Sequence, residues 1–285
     1  MILRALGSDQ VRDYDSDDDF AVARLPLLRN PAQVPPCVVG EPQFIHKGDS
    51  WNVRIHDKVG AGRNLEVLID AVLTKSGACG YGSMVDVKPF RARVGAVSPV
   101  LFKDGEGCGA CYKVRCLDPT ICSRRAVTVI ITDECPGGYC SGGHSHFDLS
   151  GAAFGRLAVA GNGGELRNRG LISVIYRRTP CRYRGKNVAF HVNEGSTAYW
   201  LSLLVEFEAG EGDIGAMHIR PASSTVWMEM KHLWGANWCI IGGPLQGPFS
   251  VKITTLSTGR SLSAREVIPR NWSPKATYTS RLNFS

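Results

Sequence analysis

The chain has 285 residues, of which 44% are hydrophobic and 21% charged, and this is the composition of an ordinary soluble globular protein. Its length favours two domains, and no apolar run approaches the roughly 18 residues that a membrane-spanning helix needs. The net charge of +7 is uneven, with 24 basic and 15 acidic residues in 77–285, but no Lys/Arg-rich cluster with interleaved aromatics is present, which argues against a nucleic-acid partner.

Residues 1–70 are predicted to form an atypical, disordered N-terminal segment. Prolines interrupt every long stretch, and the aspartates between Asp13 and Asp19 are typical of a solvated segment without a core. No charged and then apolar leader is visible at this N-terminus. The run 65–73, LEVLIDAVL, fits either a short helix or a buried strand, and periodicity cannot decide at that length.

The run from Gly77 to Gly151 combines seven cysteines with glycine-rich turns and short β-rich segments. It reads GACGYG at 77–82, GEGCGACYKVRC at 105–116, TDEC at 132–135 and HFDLSGAAFGRLA at 146–158. Cysteines at this density predict a β domain that is tied by disulfides and holds an acidic residue in a groove. Such a domain belongs in an oxidising compartment outside the cytosol.

Two β-branched runs, 127–132 and 171–176, are predicted strands of this domain. Asp133 follows the first run on the side of its core-facing residues, so its carboxylate is expected to line a cavity at the strand's mouth. Asp148 and Ser150 are candidate N-caps of a short helix over GAAFGRLA. Asp133 and Asp148 therefore fit the acid and base of a glycosidase or, alternatively, a turn acceptor and a helix cap.

The cysteines and histidines of this domain also include the donor types of a zinc site. Zinc ribbons need two tightly spaced cysteine pairs, whereas the spacings from Cys108 onward are three, five and six residues, which is more typical of disulfide staples. A Cys–His nucleophilic dyad is disfavoured because no isolated cysteine lies in a recognisable setting beside a histidine. We therefore predict neither a metal nor a cofactor.

After Cys181 cysteine becomes rare, and five of the six tryptophans lie in this part of the chain. Predicted strands at 187–192, 200–207, 214–219 and 249–256, with turn signals between them, are the pattern of an antiparallel β-sandwich.

In the strand 200–207 the apolar Leu201, Leu203 and Val205 share one face, and Trp200 lies on the other. Trp200 is therefore expected to lie on the sheet face that points away from the main core. An indole displayed on such a face suits stacking against sugar rings. The alternative is that Trp200 packs under a loop or is covered by the first domain.

The four motifs and the Trp-rich C-terminal part strongly resemble the plant β-expansins, a family that includes the group-1 grass pollen allergens. The resemblance covers roughly residues 77–285. It implies a mainly β fold: a double-psi β-barrel of the barwin and family-45 endoglucanase type at 71–181, then an immunoglobulin-like, carbohydrate-binding β-sandwich at 185–285. It also implies a secreted plant cell-wall protein that loosens the wall without hydrolysis, by disrupting non-covalent contacts between cellulose and matrix glycans.

The resemblance assigns substrate contacts residue by residue. They are Tyr81, Asp133, His146 and Asp148 in the barrel and Trp200 and Trp234 in the sandwich. Asp148 matches the general acid of family-45 endoglucanases, whose base aspartate expansins lack, and one carboxylic acid does not also activate the water. The implied partners of this monomer are cellulose, glucuronoarabinoxylan or other matrix glycans.

The resemblance also implies three disulfides, and an expanded loop offers a fourth. The pairs are Cys79–Cys108, Cys111–Cys181 and Cys116–Cys122, with Cys135–Cys140 as the additional one. Cys37 and Cys239 have no obvious partner.

The N-terminal part departs from the family. Family members begin with a signal peptide and a first barrel strand containing Thr-Trp-Tyr-Gly, and 65–73 bears no likeness to that strand. The barrel is therefore expected to lack its first strand and one wall of its groove. A misassembled N-terminal exon would explain both gaps, and continuous transcript reads across the codons for residues 1–76 would contradict it.

Two alternative functions stay open on the sequence. One is an endoglucanase that uses Asp148 and Asp133, and the other is a polysaccharide-binding protein whose barrel is inactive.

Overall fold

The computed structural model of the protein describes residues 64–70, of which only the backbone is considered, and residues 77–284. The predicted disorder of the N-terminal segment up to residue 63, and Cys37 within it, lie outside the described residues. Within the described ranges no helix is long and apolar enough to cross a membrane.

Six strands close into a barrel in the order β1-β5-β2-β4-β3-β6, as the predicted double-psi β-barrel requires. They are β1 (Asn64–Asp70), β2 (Val94–Val97), β3 (Cys111–Cys116), β4 (Val127–Glu134), β5 (Phe147–Ser150) and β6 (Ile172–Arg178). The connections contain α1 (Pro99–Phe102), α2 (Gly151–Phe154) and α3 (Gly163–Arg169), and 3-10 turns at Gly82–Asp86, Lys103–Gly105 and Gly138–Ser141. Ser150 is the N-cap of α2 and accepts a hydrogen bond from the Ala153 N–H, so of the two candidate caps the hydroxyl is used.

The prediction of a barrel without its first strand is wrong. The backbone of Asn64–Asp70 pairs in parallel with β5 and antiparallel with β6, and it closes the barrel. Strand pairing uses backbone N–H and C=O groups, so a β-prone run such as LEVLI can fill this position without the family's side-chain motif. The run 65–73 thus contains a strand, and the barrel includes residues that were predicted to be disordered.

Four disulfides tie the barrel together. They are Cys79–Cys108, Cys111–Cys181, Cys116–Cys122 and Cys135–Cys140, the same pairs that the sequence analysis proposes. Because their thiols are consumed, these cysteines cannot supply the thiolates of a zinc site. Cys239 is also disulfide-bonded, and its partner lies outside the described residues.

The second domain is a β-sandwich of eight strands in the order β13-β12-β9-β10-β11-β8-β7-β14. They are β7 (Ala189–Val192), β8 (Trp200–Glu206), β9 (Ile214–Pro221), β10 (Met228–Trp234), β11 (Asn237–Ile241), β12 (Phe249–Thr255), β13 (Ser261–Ile268) and β14 (Thr277–Thr279). The sheet folds over at β10, whose first half pairs with β9 and whose second half pairs with β11. Alternate residues of both halves fill one core, among them Leu201, Leu203, Met217, Ile219, Val251 and Ile253.

The barrel and the sandwich meet in a junction built largely from backbone. The Ala236 N–H donates to the Cys79 carbonyl at 3.1 Å, and Cys181 and Gly210 exchange two backbone hydrogen bonds of 2.7 and 3.1 Å. At Gly235 the domains approach so closely that an added Cβ atom would lie 2.7 Å from the Cα atom of Cys79. The relative position of the two domains therefore depends on a residue without a side chain.

Two carboxyl groups are buried in this junction. Glu206 and Glu208 are only 5% and 4% exposed. Burial raises the pKa of Glu206 to about 7, and Lys186 opposes this increase. Burial also raises the pKa of Glu208 to about 8, against the opposing effects of the Gly212 backbone N–H and, to a smaller extent, Arg178. Burial also raises the pKa of Tyr81, and both glutamates add to that shift. Both glutamates are thus mostly protonated in mild acid.

We expect Gly235→Ala to lower the free energy of unfolding by about 2–4 kcal/mol, because the new methyl group meets backbone and the φ of +54° strains it. Gly138→Ala is the matched control: its φ is +56°, but nothing lies within 4 Å, so only about 1–2 kcal/mol should be lost. Chemical denaturation measures both values. Equal losses in the two variants would contradict the close approach of the domains.

The buried glutamates should make stability depend on pH. An unfolded Glu has a pKa of about 4.3, so between about pH 4.5 and 8 the unfolded chain releases protons that the folded protein keeps, and stability falls as the pH rises. In Glu208→Gln, the decrease in the free energy of unfolding across this pH range should be smaller by on the order of 2–4 kcal/mol. Glu194→Gln, at an exposed ion pair with Lys275, should leave the slope unchanged. Denaturation across this pH range tests the prediction, and identical slopes for Glu208→Gln and the wild type would refute it.

Candidate functional site

His146 and Asp148 form a buried pair at the start of β5. The Nε2 atom of His146 lies 3.0 Å from Oδ1 of Asp148, and the two residues are 0% and 3% exposed. The backbone of His146 is fixed by Ser98, whose hydroxyl accepts its N–H at 3.0 Å. Burial raises the pKa of Asp148, whereas His146 lowers it. Asp148 is therefore a carboxylic acid that is hydrogen-bonded to His146 and whose protonated form is favoured by burial.

Asp133 and Asp148 lie on either side of Ala96 in β2, which is the register partner of both. Two strand spacings place their Cα atoms about 10 Å apart. The Asp148 carboxylate lies within 4.8 Å of the sulfur atoms of Cys135 and Cys140. The two predicted groove acids are therefore neighbours, and a disulfide loop packs against one of them.

Asp133 acts as a hydrogen-bond acceptor for the loop 77–80, which carries the first part of the GACGYG motif. Its Oδ1 atom accepts the N–H of Ala78 at 2.6 Å and the N–H of Glu134 at 2.9 Å. An added Cβ at Gly77 would lie 3.4 Å from the Asp133 carboxyl carbon, so this carboxylate and the loop are in direct contact. In this structure Asp133 therefore fits the alternative prediction, in which its carboxylate accepts hydrogen bonds from the backbone of a turn.

Trp234 packs against the other side of the same loop. An added Cβ at Gly80 would lie 2.9 Å from Cη2 of Trp234 and 2.7 Å from Nδ2 of Asn237. Trp234 is half-buried, so part of its ring faces solvent beside the barrel. The buried Asn237 was not predicted, because a polar residue at a strand start carries no distinctive signal. The loop 77–80 thus joins an acid of the barrel to an aromatic residue of the sandwich.

The prediction that Trp200 is displayed on a sheet face is wrong. Its side chain is 2% exposed, and its Nε1 atom has no hydrogen-bond partner among the described residues. The alternation itself is as predicted, because Leu203 points into the sandwich core and Leu204 points away from it. However, Leu204 packs into the core of the barrel. Alternation identifies the two faces of a strand, but it does not tell what covers them.

Tyr81 lies in the domain junction. It is 7% exposed, and its ring centroid is 5.4 Å from that of Phe90. Burial raises the pKa of Tyr81, and Glu206 and Glu208 raise it further. Of the predicted contacts, Asp133, His146 and Asp148 lie beside β2, and Asp133 and Trp234 contact the loop 77–80. Tyr81 directly follows this loop in the chain, and Trp200 is buried.

Comparison with known proteins gives consistent matches for both domains. Residues 94–176 match a family model described as lytic transglycolase, and residues 188–269 match the expansin C-terminal domain. Expansin-B3 of Arabidopsis thaliana is 78% identical over 73% of this chain and 78% of its own length. Expansin-B16 of Oryza sativa subsp. japonica is 73% identical over 73% of this chain and 77% of its own length.

Two solved structures share the fold at low sequence identity. A crystal structure of apo Clavibacter michiganensis expansin matches with a TM-score of 0.60 and 23% identity, over 78% of this chain and 97% of that one. A mutant Clavibacter michiganensis expansin in complex with cellohexaose matches with a TM-score of 0.56 and 22% identity, over 77% and 91%. With the barrel, the sandwich and these relatives in agreement, the chain belongs to the expansin family and is similar to its B members.

Proposed function

We propose that this protein loosens plant cell walls without hydrolysis, by binding cellulose and matrix glycans through the surface around the loop 77–80. The observation that carries the proposal is that this loop contacts Asp133 of the barrel on one side and Trp234 of the sandwich on the other. The cellohexaose complex of a related expansin supports a glucan chain as the ligand. We propose further that the protein is secreted to the wall and acts as a monomer, with domains at 71–181, extended to include β1, and at 185–285.

The geometry of the two carboxylates favours binding over hydrolysis. A glycosidase needs one carboxyl that protonates the leaving oxygen and another that activates water or attacks the sugar. Asp148 has the raised pKa of an acid, but Oδ1 of Asp133 already accepts two backbone N–H groups. Because those N–H groups stabilise the ionised form and occupy the lone pairs of Oδ1, Asp133 is a weak base for a water molecule.

Trp234 supplies the apolar part of the proposed contact. A sugar ring presents C–H groups to an indole face, and such aromatic packing contributes on the order of 1 kcal/mol. Glycan hydroxyls would meet the polar groups on the barrel side of the loop. Contacts of this size are individually weak, which suits a protein that has to release one chain and move to the next.

We expect Trp234→Ala to weaken binding to insoluble cellulose by about fivefold, the loss that corresponds to on the order of 1 kcal/mol. Tyr199→Ala is the matched control, since Tyr199 is an aromatic side chain of the sandwich that is 45% exposed and was not assigned to the site. Depletion isotherms with purified protein measure both. Equal binding by the wild type and Trp234→Ala would show that Trp234 does not contribute to cellulose binding.

Asp148→Asn should reduce the extension of heat-inactivated wall strips at least severalfold, because the amide cannot provide the same hydrogen-bonded acid beside His146. Reducing ends should not accumulate with either protein. Sugar release by the wild type that is lost in Asp148→Asn would support the endoglucanase alternative. Binding without any extension by the wild type would support the alternative of an inactive barrel.

A further inference from the structure

A cationic cluster lies on the sandwich face that points away from the barrel. We define this cationic face by His218, Arg220, Trp227 and Lys252. In β9 the neighbours Met217 and Ile219 point into the sandwich core, so His218 and Arg220 point out of it. The barrel packs on the opposite side of that core, through Leu204 and Ala236. The cationic face is therefore separate from the surface around the loop 77–80.

Two cations share one indole ring at this face. The guanidinium carbon of Arg220 and the Nζ atom of Lys252 each lie 5.0 Å from the ring centroid of Trp227. Both distances are within the range of a cation–π interaction. His218 pairs directly with Lys252 across β9 and β12, so the positive charges are held on rigid strands rather than on loops.

Neither Arg220 nor Lys252 has an ion-pair partner among the described residues. Within the described residues, no carboxylate lies within 4.0 Å of Arg220 or Lys252, whereas Lys231 pairs with Glu229 at 2.9 Å on the neighbouring strand. The Nε atom of Arg220 and the Nδ1 atom of His218 are buried without a hydrogen-bond partner among these residues. The unpaired Nε–H of Arg220 and two like charges without an ion-pair partner favour an anion as the ligand of this face.

We propose that the cationic face binds the carboxylate groups of an acidic polysaccharide. A guanidinium matches a carboxylate in two parallel hydrogen bonds, and an ammonium group nearby adds a second charge-assisted bond. The indole edge and the hydroxyl of Ser263, which pairs with Lys252, suit the pyranose that carries the acid. The choice of a polysaccharide rests on the proposed function, but the site does not use the residues around the loop 77–80.

The test compares two double variants that remove the same charge. Arg220→Gln with Lys252→Gln removes the unpaired cations, and Lys231→Gln with Arg265→Gln removes cations that have carboxylate partners, Glu229 and Glu266. The probes are polygalacturonate, fully methyl-esterified polygalacturonate and dextran sulfate, in affinity electrophoresis at low and high salt. Thermal unfolding verifies that both variants are folded.

We expect the first double variant to bind polygalacturonate at least tenfold more weakly at low salt, while the second changes by less than about threefold. Binding to the esterified polymer should be the same for all proteins. Equal losses of polygalacturonate binding in both variants would show that binding depends only on the net charge, and this would overturn the proposal. Equal loss on dextran sulfate would overturn the assignment to carboxylates. Cellulose binding that persists in the first variant would show that the proposed function stands independently of this outcome.

Discussion

The contact of the loop 77–80 with both domains is the constraint on which the rest of the structure depends. On the barrel side the loop is held by the Asp133 carboxylate, which accepts the Ala78 N–H, and on the sandwich side Trp234 packs against Gly80. An added Cβ atom would lie 2.5 Å from the Thr132 carbonyl oxygen at Gly77 and 2.9 Å from Cη2 of Trp234 at Gly80, so neither glycine has room for a side chain. The glycines and the aspartate of the family motifs therefore set the position of one domain against the other, in addition to any role in binding.

The same junction gives the protein an acidic interior. Glu206 and Glu208 lie on the sandwich but face the barrel, and burial keeps them protonated in mild acid. Their ionisation would place two negative charges, which Lys186 and Arg178 offset only in part, in a closely packed interface. The interdomain contact is therefore strongest at a mildly acidic pH, at which both carboxyl groups are neutral.

The sequence predicted the parts of the fold that follow from local patterns. The β-branched runs gave β4 and β6, and the alternation in 200–207 correctly sorted Leu201 and Leu203 into the core. It failed for β1 because a strand is selected by its pairing partners, which no local motif reveals. It also failed for Trp200, which is 2% exposed, because alternation along a strand does not reveal what covers each face. The cationic face was missed because its members come from three separate segments.

The central claim is that the protein acts on non-covalent contacts and does not cut glycosidic bonds. The most direct measurement applies the wild-type protein to heat-inactivated wall strips under constant load and follows extension and new reducing ends in the same sample. The account predicts extension with no increase in reducing ends over the buffer control. Reducing ends that rise in proportion to extension would contradict it.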